Sequence, residues 1–107
     1  MTTAKFLFSD ETIISFELSG HSGAGESGTD IVCSAVSSAV YMAANTIIEI
    51  MKISPETVFR NGYLKLETNL SDARKSKVIT DGLYLHLSEL QNQYPNNLKL
   101  ERGVFDA

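Results

Sequence analysis

The sequence predicts an α+β fold, a mainly antiparallel sheet with two helices packed on one face, in the order ββαββαβ. Three observations carry that expectation. Residues 12–19 alternate apolar and polar side chains, as a half-buried strand does. Residues 31–51 form a strongly apolar run with polar residues at steps of three and four, the spacing of a helix. Asn61-Gly62, the strongest two-residue hairpin signal, stands between two strand-like segments.

The elements follow in chain order. TAKFLF, residues 3–8, reads as a short strand, and Ser9-Asp10-Glu11 as a turn. The next strand, 12–19, places Ile14, Phe16 and Leu18 on one face and Ser15, Glu17 and Ser19 on the other, so the two strands form a hairpin. After a glycine-rich stretch, Thr29 or Asp30 caps a helix that runs to about Lys52 and stops at Ser54-Pro55. Ser34, Ser38, Tyr41, Asn45 and Glu49 make its thin polar stripe; the rest is so apolar that a sheet or a partner subunit must cover it. TVFR, Asn61-Gly62 and YLKLET form the second hairpin, or one bent strand, which would give ββαβαβ. Ser71-Asp72 opens a second helix to about Gln93, with Ile79, Leu83, Leu87 and Leu90 as its buried stripe. Pro95-Asn96-Asn97 breaks it before a last strand, LKLERGVF.

At 107 residues the chain is expected to be a single domain, 1–107, with one modest core. No unbroken apolar run reaches the ~18 residues of a membrane span. No signal-peptide apolar core follows Met1, because Asp10 and Glu11 interrupt, so the expectation is a cytoplasmic protein without a membrane partner. A net charge of −4 without a Lys/Arg cluster argues against direct nucleic-acid binding and suits a basic protein partner. One cysteine makes no internal disulfide, and one Cys with two His is too few for an ordinary structural zinc site; no metal and no cofactor are expected.

The chemistry-bearing stretch is GHSGAGESGTDIVC, residues 20–33. Gly23-Ala24-Gly25-Glu26-Ser27-Gly28 spells G-x-G-x-x-G after a strand and before a helix, as the dinucleotide fingerprint does. The rest of that pattern is missing: a hairpin precedes it, the chain is too short for two mononucleotide halves, and Asp30 would repel a pyrophosphate. A P-loop is excluded because no Lys-Ser/Thr pair follows the glycines. A surface connector is the bland alternative.

The two ends of the stretch suggest more. His21 closes a strand and Cys33 lies in the first turn of a helix, with Asp30 as cap. A thiol is a weak nucleophile near its free pKa of about 8.5; a helix N-terminus favours its thiolate, and an imidazole can take the proton and later deliver it to a leaving amine. Free N–H groups of that first turn can hold an oxyanion. Segment 22–29, with Ser22, Gly23, Gly25 and Gly28, reads as a mobile flap over a bound peptide. Ser37 lies one turn after Cys33, where it either packs or steadies the thiol or substrate. Each residue also has a plain reading: Cys33 as a small buried hydrophobe, His21 as a surface residue, Asp30 as a helix cap alone. His86, beside the Leu83/Leu87 stripe, reads as a core-boundary residue and a weak candidate for the base. Asn69-Leu70-Ser71 is a glycosylation sequon with no role in a cytoplasmic protein.

The arrangement resembles the bacterial ribosomal-processing cysteine proteases. Their motif is Gly-His, a glycine-rich loop, Asp, two aliphatic residues, Cys, small residues, an aliphatic residue and Ser. Here it stands as Gly20-His21, 22–29, Asp30-Ile31-Val32-Cys33, Ser34-Ala35-Val36 and Ser37, and the likeness extends over the whole chain, including NGYLKL. Ser22 and Ser34 stand where Ala is more usual. The resemblance implies a cysteine endopeptidase with Cys33 as nucleophile and His21 as general base, and Asp30, Ser37 and Gly20 in support. It implies removal of an N-terminal extension, cut after an aromatic pair, from the precursor of the basic large-subunit ribosomal protein number twenty-seven. It also implies a homodimer, which the apolar first helix suits. A non-enzymatic ribosome-assembly or thiol-sensing module is the alternative from another class.

Overall fold

The computed structural model describes residues 1–20 and 27–105, with backbone alone for 27–30. Strands β1 (Thr2–Ser9) and β2 (Thr12–Ser19) form the first hairpin. Its two-residue turn puts Asp10 at φ 55°, a left-handed conformation that Asp tolerates better than most residues. Pairing passes from Leu7↔Ser15 to Phe8↔Ile13, so Ile14 is the extra residue of a β-bulge. This corrects the simple alternation. Ile13 joins Phe16 and Leu18 against the core, while Ile14 is buried outside that cluster, because one inserted residue exchanges the faces beyond it.

Helix α1 (Ser27–Asn45) returns over the sheet, followed by a π-helical segment, Thr46–Ile50. The Thr46 hydroxyl donates to the Met42 carbonyl at 2.8 Å, a back-bond that competes with the helical ladder, and Met51 N–H donates to the Thr46 carbonyl at 2.9 Å, the five-residue step of a π turn. The helical stretch therefore ends short of Lys52. That residue takes φ 60°, the left-handed conformation of a helix terminus, and Ile53 N–H closes on the Ile47 carbonyl. The expected stop at Pro55 is preceded by this turn.

Strands β3 (Glu56–Arg60) and β4 (Tyr63–Glu67) flank the Asn61-Gly62 turn, with Gly62 at φ 77°. The second helix is two: α2 (Leu70–Lys75) and α3 (Lys77–Gln93). Asn69, not Ser71, is the cap, its side-chain oxygen accepting from Asp72 N–H at 2.8 Å. The break falls at Ser76, whose buried hydroxyl turns back to the Asp72 carbonyl at 2.8 Å. Strand β5 (Leu98–Val104) completes a sheet of order β3-β4-β2-β1-β5; its parallel pairing with β1 is the one parallel pair. The expected α+β, mainly antiparallel fold is what forms.

The core lies between one sheet face and the helices. Ala4, Phe6, Phe8, Ile13, Phe16, Leu64 and Leu66 meet Val32, Val36, Val40, Ala43, Ala44 and Ile47 from the first helical stretch and Leu83 and Leu87 from α3. Ile79 and Leu90 pack at its margin. By length and composition Ile31–Ile50 is apolar enough to cross a bilayer, with a mean hydropathy of 1.7, although polar residues interrupt every apolar run within it. Its buried stripe accounts for part of that apolarity. Ile31, Met42 and Ile50 remain exposed at 62, 53 and 76%, so the sheet covers this helix on one side only.

Phe6 is buried and meets the Tyr84 ring edge-on at 5.0 Å. Phe6→Ala is expected to cost about 3–5 kcal/mol in urea unfolding. Leu85→Ala, on the exposed side of α3, should change it by less than about 0.5 kcal/mol.

Candidate active site

Cys33 lines a cleft of about 240 Å³. Cys33, Ser37 and Tyr41 line it from α1, three residues at successive i+4 steps and so on one face of the helix. Leu18 of β2 and Leu64 of β4, paired across the sheet, face them. Gly20, Arg60, Gly62 and Tyr63 complete the lining. Cys33 is free and half-buried, as is Ser37.

Gly20 is at φ 73°, and a Cβ there would lie 2.6 Å from the Met1 carbonyl oxygen. Only glycine fits both the left-handed backbone and that approach, so the residue type is dictated by the path of the chain as it leaves β2. At the other end of the cleft the Tyr63 hydroxyl donates to the Glu17 carboxylate at 2.5 Å, and the Arg60 guanidinium lies 4.5 Å over the Tyr63 ring. The hydrogen bond to Glu17 first, then burial and the Glu17 charge, raise the Tyr63 pKa above its ordinary value near 10, against a lowering by Arg60.

Several sequence expectations change here. The helix begins at Ser27, so Gly28, Thr29 and Asp30 are helical residues, not loop or cap, and Cys33 is the seventh residue rather than the third. Dipole effects fade beyond the first turn, and only the first four N–H groups of a helix lack acceptors within it. Cys33 thus lies about 9 Å along the helix axis from Ser27 at 1.5 Å per residue. His21 and the flap residues Ser22, Gly23 and Gly25 lie outside the described residues.

His86 is exposed and lines a different groove, with Ala35, Ser38, Ala39, Met42, Ile79, Gly82 and Leu83, which shares no lining residue with the Cys33 cleft. Among the described residues no three His, Cys, Asp or Glu side chains gather to hold a metal. The sequence reading missed Leu18, Tyr41, Arg60, Gly62, Tyr63 and Leu64 as cleft residues. The i+8 spacing from Cys33 was a usable signal for Tyr41; the strand residues required the pairing of β2 with β4.

A half-buried thiol on the wall of a cleft is compatible with a cysteine protease, and comparison with known proteins shows that class. A sequence model of the family described as Cysteine protease Prp matches residues 1–99. The ribosomal processing cysteine protease Prp of Bacillus subtilis (strain 168) is 30% identical over 101 residues, covering 89% of this chain and 90% of that protein. Its counterpart in Staphylococcus aureus (strain NCTC 8325 / PS 47) is 23% identical over 103 residues, covering 94% and 97%. The essential ribosomal processing protease of S. aureus, crystallised in complex with a substrate peptide, superposes with a TM-score of 0.85 at 22% identity over 95% of this chain and 99% of that one. SMU.848 from Streptococcus mutans superposes at 0.82 with 28% identity, over 98% and 96%. The chain belongs to the Prp family of cysteine proteases.

Two tests follow from the geometry. Gly20→Ala should lower stability by about 1–3 kcal/mol, through strained φ and the carbonyl clash. Gly82→Ala, in α3 with nothing within 4 Å of the added Cβ, should raise it by about 0.4–1 kcal/mol; paired thermal melts read both. The raised Tyr63 pKa means that the folded state holds this proton more tightly than the unfolded chain. Its contribution is complete below about pH 10 and is lost as pH rises through the folded value, so Tyr63→Phe should flatten the alkaline fall of stability in denaturant titrations.

Proposed function

We propose that this protease removes the N-terminal extension from the precursor of the large-subunit ribosomal protein number twenty-seven, in the cytoplasm, with Cys33 as nucleophile and His21 as general base. The observation that carries the site assignment is the cleft itself. Its lining includes the one cysteine of the chain and also Gly20, the residue immediately before His21.

The chemistry runs in two stages. His21 takes the Cys33 proton as the sulfur adds to the scissile carbonyl; the C–N bond breaks, the amine leaves with the proton from the imidazolium, and a thioester remains. Water, deprotonated by the same imidazole, then attacks the thioester, releasing the extension as a carboxylic acid and restoring the thiol. The imidazole carries the activation of the thiol. Ser37, one turn along the same wall, presents a hydroxyl that can steady the bound peptide, and Asp30 is kept as a supporting residue on the strength of the family motif alone. A net charge of −4 favours encounter with a basic precursor. The apolar side of α1 left uncovered by the sheet supports a homodimer through this helix.

The deciding experiment is cleavage of a peptide spanning the extension junction, read by mass spectrometry. The wild-type protein should make a single cut. Cys33→Ala should abolish it, and His21→Ala should lower it by at least about 10²-fold. A cut that survives Cys33→Ala would remove this assignment.

A further inference from the structure

We infer that the exposed Tyr41–Phe59 pair is the far end of the substrate groove, and that it selects an apolar side chain three or four residues from the scissile bond. The inference rests on Cys33 being the nucleophile and adds to it a specificity site.

The two rings stack, with centroids 6.4 Å apart and planes 10° apart, yet Tyr41 is 51% exposed and Phe59 49%. Two large aromatic faces held parallel in water are an unusual use of apolar area, unless something further packs on them. Their position supplies the candidate. Tyr41 is itself part of the cleft lining with Cys33 and Ser37. Phe59 pairs with Leu64 in the sheet, and Leu64 with Leu18, so the row Phe59–Leu64–Leu18 runs from the stacked pair along the floor of the same cleft. The stack is continuous with the site rather than a separate patch.

The distance from the sulfur then sets which substrate residue arrives there. Along α1, eight residues separate Cys33 from Tyr41, about 12 Å at 1.5 Å per residue. Across the sheet, two strand spacings separate Leu18 from Phe59, about 10 Å. An extended peptide advances about 3.3 Å per residue, so the helical route from Cys33 reaches the third or fourth residue from the bond being cut, and the floor from Leu18 to Phe59 spans about three residues. Between the ends, Ser37 is the polar side chain of the helical wall and Leu18 and Leu64 are the floor. The groove thus offers apolar contact over its length and flat aromatic contact at its end.

The occupant is the extended, unfolded segment of the substrate polypeptide. Phe59 lies on β3, an edge strand of the sheet, so no further strand follows it outward among the described residues. A peptide can leave the groove over that edge, and the site then requires no end of chain.

The test couples enzyme and substrate changes. Cleavage of the junction peptide is measured alongside peptides in which each apolar side chain at the third and fourth positions on either side of the cut is replaced by alanine. The enzymes are wild type, Tyr41→Ala, Phe59→Ala and the conservative Tyr41→Phe, each checked by urea unfolding and sedimentation. One peptide replacement should lower wild-type kcat/KM roughly tenfold, through KM. Tyr41→Ala and Phe59→Ala should show a similar loss on the parent peptide and little further loss on the altered one, while Tyr41→Phe stays near wild type. Losses that multiply, no sensitive position, or variant effects that follow a change in sedimentation would overturn the inference. Those outcomes with a Cys33-dependent cut leave the peptidase reading standing; a cut independent of Cys33 removes both.

Discussion

Everything at the site depends on how the first helix lies on the sheet. Val32, Val36 and Val40 are buried almost completely, in a row at four-residue steps. Each is followed by a residue of the cleft: Cys33, Ser37 and Tyr41. Successive residues on a helix point about 100° apart, so burying the valine row turns the next row sideways, towards the gap between helix and sheet. Apolar burial of this kind contributes on the order of 25 cal/mol per Å² and has no directional demand of its own. Its effect here is nevertheless directional, because the helix has only one rotation that buries all three valines. The thiol is aimed by its neighbours.

The sheet makes the other wall, and its irregularities serve that purpose. The bulge at Ile14 lets Ile13, Phe16 and Leu18 all face the core although their spacing is not regular. Leu18 is thereby carried to the floor of the cleft beside Leu64. At the end of β2 the chain must leave past the Met1 carbonyl, and Gly20 is the residue type that permits it. At the hairpin of β3 and β4, Gly62 turns the chain, and the Glu17–Tyr63–Arg60 series holds its base on the sheet. Among the described residues the cleft is thus built from two strand ends, a hairpin end and a packed helix, and the proposed nucleophile is the thiol on that helix.

Element order along the chain, hairpin turns and helix periods were legible because each is written locally: a period of two, Asn-Gly, or apolar residues at steps of three and four. The break at Ser76 was not, since Ser76 and Thr80 are compatible with a continuous helix until their hydroxyls are given buried carbonyls to bind. Nor was the end of the first helix, where the Thr46 hydroxyl and a left-handed Lys52 act before proline does. The start of that helix was misplaced in the other direction, because Thr29 and Asp30 are good caps by type and are helical here by position. Cys33 and Ser37 were visible as candidates from their spacing. Their companions on the floor were invisible, since Leu18 and Leu64 are 46 residues apart in the chain and meet only through the pairing of β2 with β4.

By itself the sequence determined the element order, the apolar stripes and the supply of chemistry: one thiol, a Gly-His pair and a glycine-rich segment between them. Those follow from side-chain type and period, which need no knowledge of distant contacts. The tertiary structure alone decided that the thiol opens into a groove walled by Tyr41 and floored by Leu18 and Leu64, and that His86 belongs elsewhere. The physical reason is that such facts are set by which surfaces bury one another. A helix rotates, a strand shifts register and a turn tightens until the largest apolar area leaves water, and only then does a given residue acquire neighbours.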